Sequence, residues 1–387
     1  MAGFLVWACL AFFALFALYF YMVGQRDVIA LAHFIKSGGD VSEYRLVPAL
    51  LGMVLGAVPS LLFLKILNFP LRLKAAAMLP SYVLLGLLCS TAPASVESNV
   101  LETPMLRAFL LMLVAVAAAF GAAMIRDEKS EHKPLQNYLA WNVLLTCVGV
   151  LFTVGVSAND RELHEQLCVE RLASQGDWKG VMPAASDPTC QNRNITAMHA
   201  LALSKQGRLA DDLFTVPGLE GSESLMPDTF AAARLFGAGK MVCRWLEATP
   251  AKGSHMSVAV FLKRAVDKRM QFITDSISTG DDSIRARVLI DYYLCSLLLD
   301  RKLGEFVHEL PRFYSVDDAL PRHYREACIM YQRRAKMVEH PLVDEATTTS
   351  FQDFIKIMSD NKKDKDKQRQ ACLDMYAGTY WTYMLTK

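Results

Sequence analysis

The order of apolar and polar residues divides the chain into two parts. Up to about residue 157, apolar residues run on in stretches close to the ~20 residues that cross a bilayer. Beyond that point they recur three and four residues apart, which is typical of amphipathic helices, and no strand-like alternation of useful length appears. The pattern predicts an all-α fold, with a transmembrane region over residues 1–157 and a helical domain over residues 158–387.

Five apolar stretches are expected to be membrane spans. They cover approximately residues 3–23, 46–67, 75–89, 106–125 and 135–156. The first has no Lys or Arg before its apolar run and no small-residue cleavage site after it, which favours a retained anchor over a cleaved signal peptide. The third is short and contains Pro80, so a tilted or re-entrant segment is its alternative.

Basic residues near the ends of the spans predict the orientation. Two of the loops between spans are flanked by them: Lys65, Arg72 and Lys74, then Arg126, Lys129 and Lys133. Loops rich in Lys and Arg stay in the cytoplasm. With five spans, the N-terminus is then cytoplasmic and the helical domain lies outside the cytoplasmic (inner) membrane. Lys65 falls near the end of its span, where snorkelling to the headgroups is expected and a functional intramembrane charge is the alternative.

Composition agrees with this division and excludes several classes of protein. Hydrophobic residues make up 53% of the chain, and the net charge is +2. Residues 1–157 hold 10 Lys and Arg and 8 Asp and Glu, whereas residues 158–387 hold 31 of each. A charge so close to balance predicts no nucleic-acid partner. The apolar first part predicts contact with membrane lipid and excludes a disordered chain or a simple cytosolic enzyme.

A recurring turn organises the helical domain. Gly176 follows one predicted helix and precedes Trp178, and Gly207, 31 residues later, likewise precedes Leu209. A glycine there closes a helix in the left-handed conformation at low cost, so each turn predicts a pair of packed helices. A third turn of this form has Arg301 in the glycine position. The spacing is close to the ~34 residues of tetratricopeptide units, and an irregular helical bundle is the alternative.

Charged and aromatic residues of the later helices are interpreted structurally. Arg234, Arg244, Trp245 and residues 263–269 are expected on solvated outer faces, because they fall at helical spacing. Asp211 and Asp212, like Asp281 and Asp282, are expected to cap helices. The aromatic-rich stretch at residues 376–383 is expected either to cap the helical array or to meet the lipid headgroups, since Tyr and Trp suit both settings.

The sequence predicts no catalytic, cofactor-binding or metal site. The nine cysteines form no Cys-x-x-Cys pair, and the histidines lack metal-binding spacings. In an extracytoplasmic domain, Cys168 and Cys190 are the most plausible disulfide, because Cys190 lies in a loop just after the helix pair that contains Cys168. The remaining cysteines of this domain are expected to be buried in helices.

Four short stretches carry a family resemblance. They are residues 38–44, 200–214, 324–327 and 378–383, which extend from the first loop almost to the last residue. With its apolar first part, the chain resembles a family of uncharacterised bacterial inner-membrane proteins, a domain of unknown function with transmembrane helices followed by a tetratricopeptide-like domain. The resemblance implies this architecture. It supplies no catalytic residues, because the family has no assigned activity.

Two functional hypotheses follow. The first is a non-enzymatic scaffold of the cell envelope that binds protein partners through its helical domain. The second is an accessory or catalytic subunit of a membrane enzyme or transporter acting on lipid or envelope polymer, with His33, Asp40, Glu43 and Arg45 of the first loop facing the substrate. For that loop, an amphipathic segment lying at the membrane surface is the alternative.

Overall fold

The computed structural model of the chain is helical, as the sequence predicts. Every element of regular secondary structure in the described residues is a helix, which confirms the all-α class. The described residues are 2–36, 57–58, 60–62, 64–65, 71–90, 135–157, 161–227, 238–250, 256–275, 280–315, 319–335, 345–362 and 364–386. The chain forms two compact units, Met1–Leu167 and Cys168–Lys387. The division therefore falls within the helix Arg161–Ser174, whereas composition put it after Ser157.

The first unit consists of apolar helices. Helix α1 (Ala2–Tyr19) continues through a π-helical turn (Phe20–Gly24) and is followed by α2 (Arg26–Lys36). A 3-10 segment (Leu71–Met78) leads into α3 (Leu79–Ser90), and α4 is Leu135–Val156.

Two helices among the described residues are long and apolar enough to cross a membrane. They are Gly3–Gly24 and Tyr138–Gly155, which coincide with the first and fifth predicted spans. Large apolar side chains on both are exposed, for example Trp7 at 73% and Leu151 at 71%. Extended apolar surface of this kind is unfavourable in water and is typical of contact with lipid or with another apolar surface.

The other predicted spans differ from these two. The third, expected at residues 75–89, belongs to a helical run whose apolar part, Leu73–Gly86, is shorter than a full span. The run bends at Leu73 (φ −118°, ψ 18°) and not at Pro80. Pro80 is the second residue of α3. The second predicted span reaches the described residues only in short helical pieces, and the fourth lies outside them.

Polar side chains of α4 hold the bent segment in place. The Asn142 side chain is buried; its Oδ1 accepts a hydrogen bond from the Ala75 N–H at 2.7 Å, and its Nδ2 donates to the Leu71 carbonyl at 2.9 Å. These contacts satisfy backbone groups that the bend leaves without helical partners. Further along α4, a Cβ on Gly149 would lie 2.7 Å from Cδ2 of Tyr82, so α4 approaches α3 closely only because this residue is glycine.

The second unit contains helices of 4 to 20 residues. In chain order they are α5 (Arg161–Ser174), α6 (Trp178–Ala184), α7 (Arg193–Lys205), α8 (Leu209–Asp212), α9 (Ala238–Leu246), α10 (Val258–Asp275), α11 (Gly280–Leu299), α12 (Leu303–Glu309), α13 (Arg322–Ala335), α14 (Glu345–Asp360), α15 (Lys365–Tyr376) and α16 (Tyr380–Thr386). Short 3-10 turns lie at Leu213–Thr215, Ser222–Leu225 and Leu310–Arg312. From α10 to α16, each helix packs against the next along the chain.

Helix α11 forms the centre of this unit. Its last turns, from Tyr292 to Leu299, are buried at every position, and a helix that is apolar on all sides is stable only when its neighbours surround it. Those neighbours include α8, α10, α12 and the 3-10 turn Ser222–Leu225. A smaller apolar cluster lies farther along the chain and includes Phe351, Phe354 and Trp381.

Candidate functional site

The predicted turns at Gly176 and Gly207 have the expected geometry. Their φ angles are +78° and +70°, in the left-handed region that glycine adopts most readily. The N–H of Asp177 donates to the Leu172 carbonyl at 3.0 Å, and the N–H of Arg208 donates to the Leu203 carbonyl at 2.9 Å. These bonds reach back five residues and define the Schellman form of helix end.

The same turn closes two more helices without glycine. Arg301, the third position of the predicted set, has φ +59°, and Lys302 donates to the Leu297 carbonyl at 2.9 Å. Glu247 has φ +51°, and Ala248 donates to the Cys243 carbonyl at 3.1 Å. The turn at Glu247 was missed because no glycine marks it.

Side chains beside the first two turns form a cation–π cluster. The Lys205 ammonium lies 3.2 Å from the centre of the Trp245 ring and 5.5 Å from that of Trp178. The Trp245 indole N–H donates to Ser204 Oγ at 3.0 Å. Burial lowers the pKa of Lys205. Trp245 is half-buried, and its hydrogen bond joins α9 to α7. The expectation that Trp245 lies on a solvated face is therefore wrong. Leu209, which follows the turn at Gly207, is buried in the core.

A buried carboxylate, Glu326, connects distant parts of the chain. Its Oε2 accepts hydrogen bonds from the Tyr380 backbone N–H at 2.8 Å and from His323 Nδ1 at 2.9 Å. The Trp381 indole donates to the Glu326 carbonyl at 2.8 Å. On the far side of the imidazole, Nε2 accepts from the Phe214 backbone N–H at 3.4 Å, which assigns the ring proton to Nδ1.

Three of the stretches that carry the family resemblance meet in this network. Phe214 ends residues 200–214, Glu326 belongs to residues 324–327, and Tyr380 belongs to residues 378–383. Asp211, expected to cap its own helix, instead accepts a hydrogen bond from the Arg322 N–H at 2.7 Å and caps α13.

The C-terminal aromatic residues Tyr380 and Trp381 are buried, which agrees with a place inside the helical array and not at the lipid headgroups. The resemblance therefore marks residues that hold the helical unit together.

A second carboxylate, that of Asp291, is partly buried and is held by two tyrosines. The hydroxyls of Tyr314 and Tyr324 donate to its Oδ1 at 2.6 and 2.9 Å. Burial raises the pKa of Asp291, and the two hydrogen bonds oppose that rise. Burial also raises the pKa of Tyr324, which has no exposed surface. Because both phenols donate to the same carboxylate, the cluster ties α11 to α13 and to the segment that precedes α13.

The structure does not join Cys168 to Cys190, the predicted disulfide pair. Cys168 Sγ lies 3.8 Å from Arg171 Nη2, and Cys190 Sγ lies 3.7 Å from Thr189 Oγ1. Cys295 and Cys328 are buried in helices, as expected. Burial raises the pKa of Cys328 to about 12, so that thiol stays protonated and unreactive at neutral pH.

The predicted loop site falls outside the side chains that the structure describes. His33 falls within α2, in a part where side chains are outside the described residues, and Asp40, Glu43 and Arg45 are outside them altogether. The loop hypothesis stays a prediction.

The described part of the second unit contains an open cleft that sequence reasoning missed. Its volume is about 450 Å³, and it lies between the end of α9, the middle of α10 and α11. Leu246, Phe261 and Leu289 provide apolar lining, and Arg264, Lys268 and Arg269 of α10 provide positive charge. The charges were expected on a solvated face. The spacing of Arg264 and Lys268, four residues apart on one helix, was the available signal, but nothing local revealed the apolar surface beside them.

The chain belongs to a family of unknown function (DUF6057), whose model matches residues 2–236 and 280–387. No curated protein and no solved structure matches it. The matched ranges include the turns at Gly176 and Gly207 and the Glu326 network. They leave out residues 237–279, which contain α9, α10 and all of the cleft lining except Leu289.

Proposed function

We propose that the protein is a multi-pass membrane protein of the bacterial cell envelope that presents its helical unit as a scaffold for protein partners. The observation that carries this proposal is the recurrent helix end: left-handed turns close α5, α7, α9 and α11, and successive helices pack against each other from α10 to α16. Stacked helix pairs of this kind form extended grooves that bind peptides or partner helices, as tetratricopeptide arrays do.

The exposed apolar surfaces of α1 and α4 support the membrane part of the proposal. We propose five spans in the inner membrane, with the N-terminus in the cytoplasm and the helical unit outside. Reporter fusions after Ser90, Arg126 and Lys387 test this arrangement. The expected readings are outside, inside and outside in that order. A cytoplasmic reading at Lys387 would overturn the orientation.

Photo-crosslinking in living cells tests the scaffold function. A photoreactive amino acid is placed in the full chain at exposed positions of the helical unit, for example Gln175, Thr249 and Gln352. A scaffold yields adducts of discrete mass at a subset of positions, since partners occupy particular surfaces. Failure to form any adduct over a full set of exposed positions contradicts the proposal.

A further inference from the structure

The cleft beside α10 combines an apolar floor with a positively charged rim. Leu246 and Leu289 are almost fully buried beneath it, and Phe261 is half-buried. The cavity of about 450 Å³ is open to solvent and falls within the usual size of ligand pockets, ~300–1,000 Å³. A ligand that fits it carries a small apolar group for the floor and polar groups for the rim.

The charges of the rim are unevenly paired. Arg269 Nη1 lies 2.9 Å from a carboxylate oxygen of Glu247, so one of the three cations is already neutralised. Arg264 and Lys268 have no ion pair among the described residues, and both side chains are exposed. Two like charges four residues apart on a helix repel each other, and an anion bound between them removes that repulsion.

Two further charged residues of α10, Lys263 and Asp267, are paired within the fold. Lys263 Nζ lies 3.1 Å from Glu309 Oε1, and Asp267 Oδ1 lies 3.2 Å from Arg312 Nη2. These pairs connect α10 to α12 and the turn that follows α12. Among the described residues, the unpaired positive charge of α10 is therefore that of Arg264 and Lys268, which line the cleft.

We propose that this cleft binds a short acidic segment of a partner protein, with an apolar side chain on the floor and flanking carboxylates on Arg264 and Lys268. The inference rests on the proposed scaffold function and names the surface and the chemistry of the partner. A peptide fits better than a lipid because the cleft is open, whereas an acyl chain would keep much of its apolar surface in water.

Most of the cleft lies outside the residues that the family model matches. Its lining falls almost entirely in residues 237–279, between the two matched ranges.

Binding is tested with the full chain in nanodiscs of zwitterionic lipid. The probe is a fluorescent hexapeptide, Glu-Glu-Leu-Phe-Glu-Glu, and its control has Gln in place of every Glu. Binding of the acidic probe should weaken as salt is raised, because exposed charge pairs are screened. The Gln control should bind about tenfold more weakly or not at all.

Paired variants separate a specific site from general charge attraction. Arg264→Gln with Lys268→Gln should weaken binding of the acidic probe about tenfold. Lys179→Gln with Lys356→Gln removes the same charge from exposed positions outside the cleft and should leave binding unchanged. Arg264→Glu with Lys268→Glu should bind a Lys-for-Glu version of the probe. That exchange of preference also demonstrates that the variant is folded.

Three outcomes would overturn the proposal. They are equal binding of the Glu and Gln peptides, equal loss of binding in both Gln double variants, and binding of anionic phospholipid vesicles through Arg264 and Lys268 without binding of the acidic peptide. Crosslinks at Gln175 or Gln352 alongside any of these results would leave the scaffold function standing and remove only the cleft as its site.

Discussion

Oε2 of Glu326 accepts the backbone N–H of Tyr380 at 2.8 Å, which fixes the start of the last helix against α13. The carboxylate is buried and also binds His323 and Arg322, at 2.9 Å each. One side chain therefore connects the end of the chain to the middle of the helical unit.

Glu326→Ala is expected to destabilise the helical unit by about 3 kcal/mol, because it leaves the Tyr380 N–H and the His323 ring without their acceptor. Thermal unfolding of the full chain in detergent measures the loss. Glu305→Ala serves as the matched control: Glu305 is exposed and pairs with Lys302 at 3.8 Å, so its loss should cost less than about 1 kcal/mol. Equal effects of the two variants would contradict the central role of Glu326.

The left-handed turn at Arg301 gives a prediction about backbone strain. Arg301→Gly and Arg301→Ala both remove the side chain, but only glycine tolerates φ +59° without a steric penalty. The Gly variant should therefore be more stable than the Ala variant by about 1 kcal/mol. At Gly207, where an added Cβ meets nothing within 4 Å, substitution by Ala should cost a similar ~1 kcal/mol for the same reason. If the Arg301→Gly and Arg301→Ala variants have the same melting temperature, the turn is not left-handed in solution.

Close packing of α3 and α4 is tested at two glycines of one helix. Gly149→Ala should destabilise the first unit by about 1–3 kcal/mol, because the new methyl group would lie 2.7 Å from Tyr82. Gly155→Ala, also on α4, meets nothing within 4 Å and should leave stability unchanged or slightly improved. Thermal aggregation of the two variants in detergent provides the comparison. A less stable Gly155→Ala variant would contradict the packing described here.

Asp291 makes the stability of the helical unit depend on pH. Burial raises its folded-state pKa above the ordinary 3.8, so the folded state binds the proton more tightly than the unfolded state. The contribution of Asp291 to stability is full below pH 3.8 and is lost as pH rises through the folded pKa.

Asp291→Asn removes that dependence. The amide oxygen can still accept hydrogen bonds from Tyr314 and Tyr324. The difference in stability between the Asp291→Asn variant and the parent should therefore grow in favour of the variant as pH rises from about 4 toward 7, where the parent carries a partly buried charge. Melting temperatures of both proteins across this range give the measurement. A difference that is constant with pH would show that Asp291 titrates alike in the folded and unfolded states.

Local features of the fold were predictable because they depend on neighbouring residues. The apolar runs at residues 3–23 and 135–156 correspond to the two described helices long enough to span a membrane, since length and composition alone decide that property. The turns at Gly176 and Gly207 were predictable because glycine favours the left-handed conformation. The turn at Arg301 was predictable only because the sequence around it aligns with the two glycine turns. The turn at Glu247 had no such alignment.

Features that join distant residues were not predictable. Phe214 and His323 are 109 positions apart, and Glu326 and Tyr380 are 54 apart, so no local pattern indicates that they meet. Cys168 and Cys190 are close in sequence, yet the structure does not join them.

The sequence by itself determined that this protein is helical, that its first part is apolar, and where several of its helices end, because these properties follow from composition, periodicity and the backbone preferences of single residues. Only the tertiary structure decided that Arg264 and Lys268 border an apolar cleft. Their spacing places them on one face of α10, but the packing of α9 and α11 beside that helix determines what the face meets.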